Sequence, residues 1–251
     1  MRPAREAVQR WRLVLARGRL GTDSGQREQL AAWDEALARS GLPVAGLDAA
    51  PPKARFSAAA PLAATIPGEA ELIDVWLTER LPAWRVREAL AGSVPPGYTL
   101  ADAYDVWLGA PALPGQVVAS VYRATFGGAR PEPDALQAAC RELLAATSLP
   151  RERAKGQATV RYDLRPFLDA LDAGAEGRAL RMTLRHDPER GIGRPEEVLA
   201  ALSDALGAPL EPDSLVRESL VLAPPPAPQA PPRGPRARSR QAAAPSSRPR
   251  K

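Results

Sequence analysis

The chain alternates short apolar segments of strand character with amphipathic segments of helical period. The order runs twice, once on each side of the Pro/Gly stretch Ala110–Gly115, which reads as a hinge. That alternation restricts the chain to folds in which each helix buries one stripe against a sheet. In the first half, Trp11–Ala16 is an apolar run suited to a buried strand. Asp23 with Gln26 forms a helix-capping pattern, and Leu30, Trp33, Ala36 and Leu37 then recur at helical spacing. Gly41 followed by Leu42-Pro43 stops that helix. After a Pro- and Ala-rich connection over 43–67, Leu72–Leu77 reads as a strand. Pro82 opens a helix with Val86, Ala89 and Leu90 on one face, Gly92 ends it, and Tyr98–Leu108 reads as a strand.

The second half repeats the order. Val117–Phe126 is strand-like, and Asp134 begins a helix carrying Leu136, Ala139, Cys140, Leu143 and Leu144 on one face. Thr159–Leu164 reads as the next strand, and Arg165–Leu171 as a short helix carrying Leu168 and Leu171. Leu180–His186 is a strand, Pro195–Leu206 a helix closed by Gly207, and Ser214–Leu222 the last strand. Each half is thus approximately strand–helix–strand–strand–helix–strand, the ferredoxin-like βαββαβ order. The expectation is an α+β protein of two tandem, pseudo-duplicated ferredoxin-like units over 10–109 and 116–222; a single continuous α+β domain is the alternative.

The formal charge of +5 is unevenly distributed. Residues 224–251 carry +7 with no acid, nine prolines and no aromatic, a composition read as disordered. Residues 1–12 carry +3, which leaves 13–223 at −5. A nucleic-acid reading therefore belongs to the tail, through Arg233, Arg236, Arg238 and Arg240, and would be sensitive to salt and poor in sequence specificity. No stretch approaches a membrane span of roughly 18 apolar residues, and arginines interrupt any signal-like N-terminus. The expected location is cytoplasmic, where one thiol stays reduced.

One cysteine and one histidine restrict the chemistry. A three-cysteine cluster cannot be assembled, and a His/Cys zinc site is strongly disfavoured. Cys140 lies on an apolar helix face and reads as core filler rather than a reactive thiol. His186 ends a strand beside Asp187, a pair that could orient a base, although no motif brings a nucleophile to it. Gly191-Ile192-Gly193-Arg194-Pro195 leads into a helix. Arg194 and the helix start could hold a phosphate, but Glu196 and Glu197 oppose an anion, so a loop with a proline-started helix is favoured.

The most specific stretch is Leu42–Leu77, with Leu42-Pro43, Ser57, Pro61-Leu62, Glu71 and Asp74 in ungapped spacing. It resembles the bacterial radical SAM-linked domain, an uncharacterised module fused to, or encoded beside, radical SAM proteins. Arg10–Leu20, Tyr162–Pro166 and Arg194–Leu202 are similar to further blocks of that family. The chain departs from the family's Ser-His-Leu-Asp, which falls at Leu20–Gln29, and from its Pro-His-Pro, where Pro52-Lys53-Ala54 stands. The family's Tyr-Ser-x-Gly-Phe is replaced by Gly46–Ala50. The resemblance implies a radical SAM partner that would supply cluster and S-adenosylmethionine. It implies no cofactor and no catalysis in this chain, and it singles out Lys53, Arg55, Phe56, Ser57, Glu71 and Asp74 as loop and strand residues for an interaction.

Overall fold

The computed structural model describes residues 5–21, 24–128, 131–155 and 158–224. Asp23 and the arginine-rich tail, Arg233 to Arg240 included, lie outside the described residues. In the first half, β1 (Gln9–Arg17) leads to α1 (Gln26–Arg39), β2 (Phe56–Ala58), β3 (Gly68–Leu77), α2 (Ala83–Ala91) and β4 (Tyr98–Val106). In the second, α3 (Leu113–Gln116) and β5 (Val117–Thr125) precede α4 (Pro133–Ala145), β6 (Pro150–Lys155) and β7 (Ala158–Asp163). Then come β8 (Leu168–Ala173), β9 (Ala179–Asp187), β10 (Gly191–Ile192), α5 (Pro195–Leu206) and β11 (Ser214–Leu222). The fold is mixed α+β around one large, mostly antiparallel sheet. Among the described residues no helix is long and apolar enough to cross a membrane.

The strand order of the main sheet is β10-β9-β5-β11-β3-β1-β4, with β2 paired to β3 and β8 to β9. The first half therefore contributes β4-β1-β3-β2, and the second β11-β5-β9-β8. The halves meet where β11 runs parallel to β3, with Arg217 opposite Gly68. Each half has its own apolar core. Trp11, Leu13 and Leu15 of β1 pack with Ile73, Val75 and Leu77 of β3 beneath Trp33 and Leu37 of α1 and Val86 and Leu90 of α2. Alternation along the strands puts these residues on one face. Tyr122, Ala124, Leu180, Met182 and Leu184 pack beneath Leu136, Cys140 and Leu143 of α4 and Val198 and Leu202 of α5.

Three expectations are corrected. Arg165–Leu171 is not a short helix: Arg165–Phe167 make one 3-10 turn, and β8 begins at Leu168. A register shift between Leu168 and Ala170 sets Leu168 opposite Leu184 and Leu171 opposite Met182. Such a bulge turns two residues three apart to the same face, which mimics a helical pattern. Thr159–Leu164 does form a strand, β7, but it pairs only with β6 in a separate hairpin, so β8 takes the second-strand position. The hinge Ala110–Gly115 holds α3, whose Leu113 is buried against Ala59 and Val117.

The other face of β1 carries Arg10 and Arg12, and both are buried. Asp74 of β3, wholly buried, accepts from the Nε and Nη2 atoms of both guanidiniums. Arg10 also donates to the carbonyls of Ala110 and Pro111, which holds the hinge against the first half, and its guanidinium lies 4.8 Å from the Trp76 ring. Removing one partner of a buried ion pair strands the charge that remains. Asp74→Ala will therefore lower the unfolding free energy by about 3–5 kcal/mol, read from urea denaturation. Glu79→Ala, in the exposed Arg5–Glu79 pair, will change it by under about 0.5 kcal/mol.

Candidate functional site

The connection between β2 and β3 crosses the middle of the sheet, where the two halves meet. Two buried arginines hold it, one from each half. Arg17, at the end of β1, donates to the carbonyls of Leu62, Ala63 and Ile66 and to Gln29 Oε1. Arg217 of β11 donates to the carbonyls of Ala60 and Pro61 and forks onto Glu71 of β3. Burial, the largest single influence, works to lower the Arg217 pKa, but Glu71 and Tyr122 together outweigh it and the net shift is upward. A guanidinium suits this task because its planar donors reach several carbonyls at once without losing the charge.

The clamped loop is the floor of a cleft of about 850 Å³. One wall is the start of α1 at Gly25, Gln26 and Gln29. The other is the start of α5, with Gly191, Gly193, Arg194 and Glu196. Both walls are helix N-termini without side-chain caps; α5 opens on Pro195, which has no N–H, and the Glu197 amide bonds the Arg194 carbonyl. Gly193 belongs to the packing: a Cβ there would stand 2.9 Å from the Cβ of Phe167. A smaller cavity of about 180 Å³ lies behind the loop, lined by Arg17, Trp33, Glu71 and Tyr98.

The residues singled out in the sequence fall in four places. Glu71 sits at the central clamp and Arg194 on the rim of the cleft. Asp74 lies on the opposite face of the sheet from Glu71, tied to Arg10 and Arg12, so the two acids do not form a pair. Opposite Asp74 is Ser57. Arg55 is exposed and lies 4.9 Å from the Trp76 ring. Lys53, Phe56 and Ser57 line a separate groove beside α1. Lys53 also explains a glycine: a Cβ at Gly46, where φ is +90°, would stand 2.2 Å from the Lys53 carbonyl oxygen.

His186 is corrected. Asp187 turns away and accepts from the amides of Glu189 and Arg190. The ring instead meets Ser120, with Nε2 and Oγ 2.8 Å apart. These residues are 66 apart in sequence, so no local motif could reveal them. Ser120 has no exposed surface. Burial, then the charge of Arg217, lowers the His186 pKa to about 4. Burial likewise raises Tyr122, and it raises the Cys140 thiol, with help from Asp172, to about 11. Among the described residues no three His, Cys, Asp or Glu side chains gather as metal ligands.

Residues 21–195 match a family described as Uncharacterized protein conserved in bacteria (DUF2344). The chain belongs to that family. The match includes the clamped loop, Glu71 and Asp74. The arginines that hold them, Arg10, Arg12, Arg17 and Arg217, lie outside the matched residues. No curated protein matches the chain.

Above pH 6.5 the His186 ring is neutral in both the folded and the unfolded chain. Below it the unfolded chain takes up a proton that the folded chain refuses until pH falls to about 4. The stabilisation by this group is therefore full above pH 6.5 and lost between 6.5 and 4. The loss will be about 2 kcal/mol, allowing for the ring's partial exposure. His186→Gln will flatten that part of the pH profile, measured by urea unfolding at pH 7.5 and 4.5.

Proposed function

We propose that this chain is a binding and positioning protein that performs no chemistry of its own and works in the cytoplasm beside a radical SAM protein. It is built from two ferredoxin-like units, over 10–109 and 116–222. The strand orders β4-β1-β3-β2 and β11-β5-β9-β8 support the duplication, since both have the pattern fourth–first–third–second once the β6–β7 hairpin and the two-residue β10 of the second half are set aside. The Leu42–Leu77 stretch supports the radical SAM partner, and the single cysteine supports a cluster supplied from outside the chain.

The observation that carries the binding role is the central cleft. Its walls come from both halves, and buried guanidiniums hold its floor from both sides. A binding surface is most effective when its geometry is fixed before the partner arrives. The test is co-expression of the full chain with each radical SAM protein of the same genome, followed by size-exclusion chromatography. The expected result is a stable complex that Arg194→Glu, an exposed change on the cleft rim, weakens about tenfold. Absence of a complex with every such protein would overturn the partner.

The +7 segment favours a second reading, RNA or ribosome association through Arg233, Arg236, Arg238 and Arg240. Under that reading, deletion of 224–251 abolishes RNA binding, and raising salt from 50 to 200 mM weakens the full chain by about a hundredfold or more. Unchanged, salt-independent binding refutes it.

A further inference from the structure

β2 is a short strand with one open side. Arg55 accepts from the Trp76 amide and Ala59 donates to the Leu72 carbonyl, so the odd-numbered residues turn their main chain towards β3. By the alternation of an antiparallel ladder, Phe56 and Ala58 turn theirs away. Among the described residues, no hydrogen bond engages those outward N–H and C=O groups. They border a groove of about 910 Å³ whose far wall is α1, with Arg27, Leu30 and Asp34. At Ala58 the groove adjoins the cavity lined by Pro114 of α3, a residue with no N–H to offer the edge.

The sheet treats its β4 edge differently. There the outward residue Ala103 is already engaged: its amide donates to Asp102 Oδ1 and its carbonyl accepts from Arg87, which itself pairs with Asp102. Charged side chains of this kind block strand addition. No such guard stands over β2. Its same-face side chains, Phe56 and Ala58, are partly buried on the first core, and Leu30 of α1 is exposed above the groove.

We propose that the groove between β2 and α1 binds an extended segment of another polypeptide, which adds a strand to β2 and alternates apolar with acidic residues. Addition to an open edge supplies main-chain bonds, and alternate side chains supply specificity. Apolar side chains opposite Phe56 and Ala58 would lie under Leu30, on the α1 side. Acidic ones turn to the opposite face, where exposed Arg55 stands beside Ser57, and the exposed Lys53 and Arg27, which have no ion-pair partner among the described residues, add positive charge at the groove. With Asp34, which accepts from the Ala54 amide, the groove lining holds the two cations Arg27 and Lys53 against one anion. The same cations argue against the chain's own +7 tail as occupant. The groove is independent of the identity of any radical SAM partner.

The test uses the full chain and a dye-labelled octapeptide of alternating valine and glutamate, read by fluorescence anisotropy. Two control peptides replace glutamate by lysine or N-methylate the valines. The glutamate peptide will bind about tenfold or more tightly than either control. It will also slow hydrogen exchange at the Phe56 and Ala58 amides about tenfold or more. Lys53→Glu will weaken it, and Ala58→Pro, which removes one outward N–H, will weaken it further. Binding without protection at Phe56 and Ala58, equal binding of the N-methylated peptide, or no binding up to about 1 mM overturns the strand addition. Equal or tighter binding of the lysine peptide overturns the acidic preference.

Discussion

Two guanidiniums taken out of water set the architecture. Arg17 comes from the first strand and Arg217 from the last, and they converge on one loop between β2 and β3. A buried cation needs its donors satisfied, because in a low-dielectric setting an unmet charge costs more than most packing defects. Arg17 meets the need at Nη1 and Nη2, through main-chain carbonyls and Gln29 Oε1, while its Nε has no hydrogen-bond partner; Arg217 meets it with carbonyls and Glu71. The loop cannot leave without stranding both charges. It therefore joins the two halves more firmly than the single parallel bridge between β11 and β3 suggests, and it fixes the floor of the cleft above it.

The same strand, β3, supplies a second anchor on its reverse side. Glu71 and Asp74 are three residues apart and face opposite layers. Glu71 ties the first half to the second through Arg217. Asp74 ties the strand to Arg10 and Arg12, and through Arg10 to the hinge before β5. The Arg217–Glu71 contact between the halves and the bracing of the covalent hinge by Arg10 thus both involve β3. Each depends on an arginine that also bonds main-chain carbonyls, so the backbone around the junction is specified by charge as well as by packing.

Most of the frame was legible in the sequence because helical period and strand alternation are local signals. α1, α2, α4 and α5 fall where the stripes of Trp33, Val86, Leu136 and Val198 set them. β8 was illegible because its bulge brings Leu168 and Leu171 to one face at helical spacing. β6, opened by Pro150 and rich in charge, lacks any apolar alternation. The buried arginines were illegible for a different reason. An arginine in sequence reads as a solvated side chain, and only the partners that satisfy it reveal burial. Those partners are distant in sequence: Glu71 is 146 residues from Arg217. The resemblance pointed to Glu71 and Asp74, while their opposite orientation and separate tasks appear only in the fold.

The distribution of buried ionisable groups follows a rule that bears on function. Groups able to exchange a proton near neutrality are moved away from it: His186 to about 4, Cys140 to about 11, and Tyr122 upward. The buried cations are all arginine, the one side chain that holds its proton throughout the physiological range. General acid–base catalysis asks for the reverse, a buried group tuned towards the operating pH. Near pH 7 His186, Cys140 and Tyr122 are thus neutral, while the buried arginines Arg10, Arg12, Arg17 and Arg217 keep their charge. A constant field and a rigid floor are what a positioning surface requires. That links the arginine clamp, which the fold needs for its own cohesion, to the role proposed for the cleft it supports.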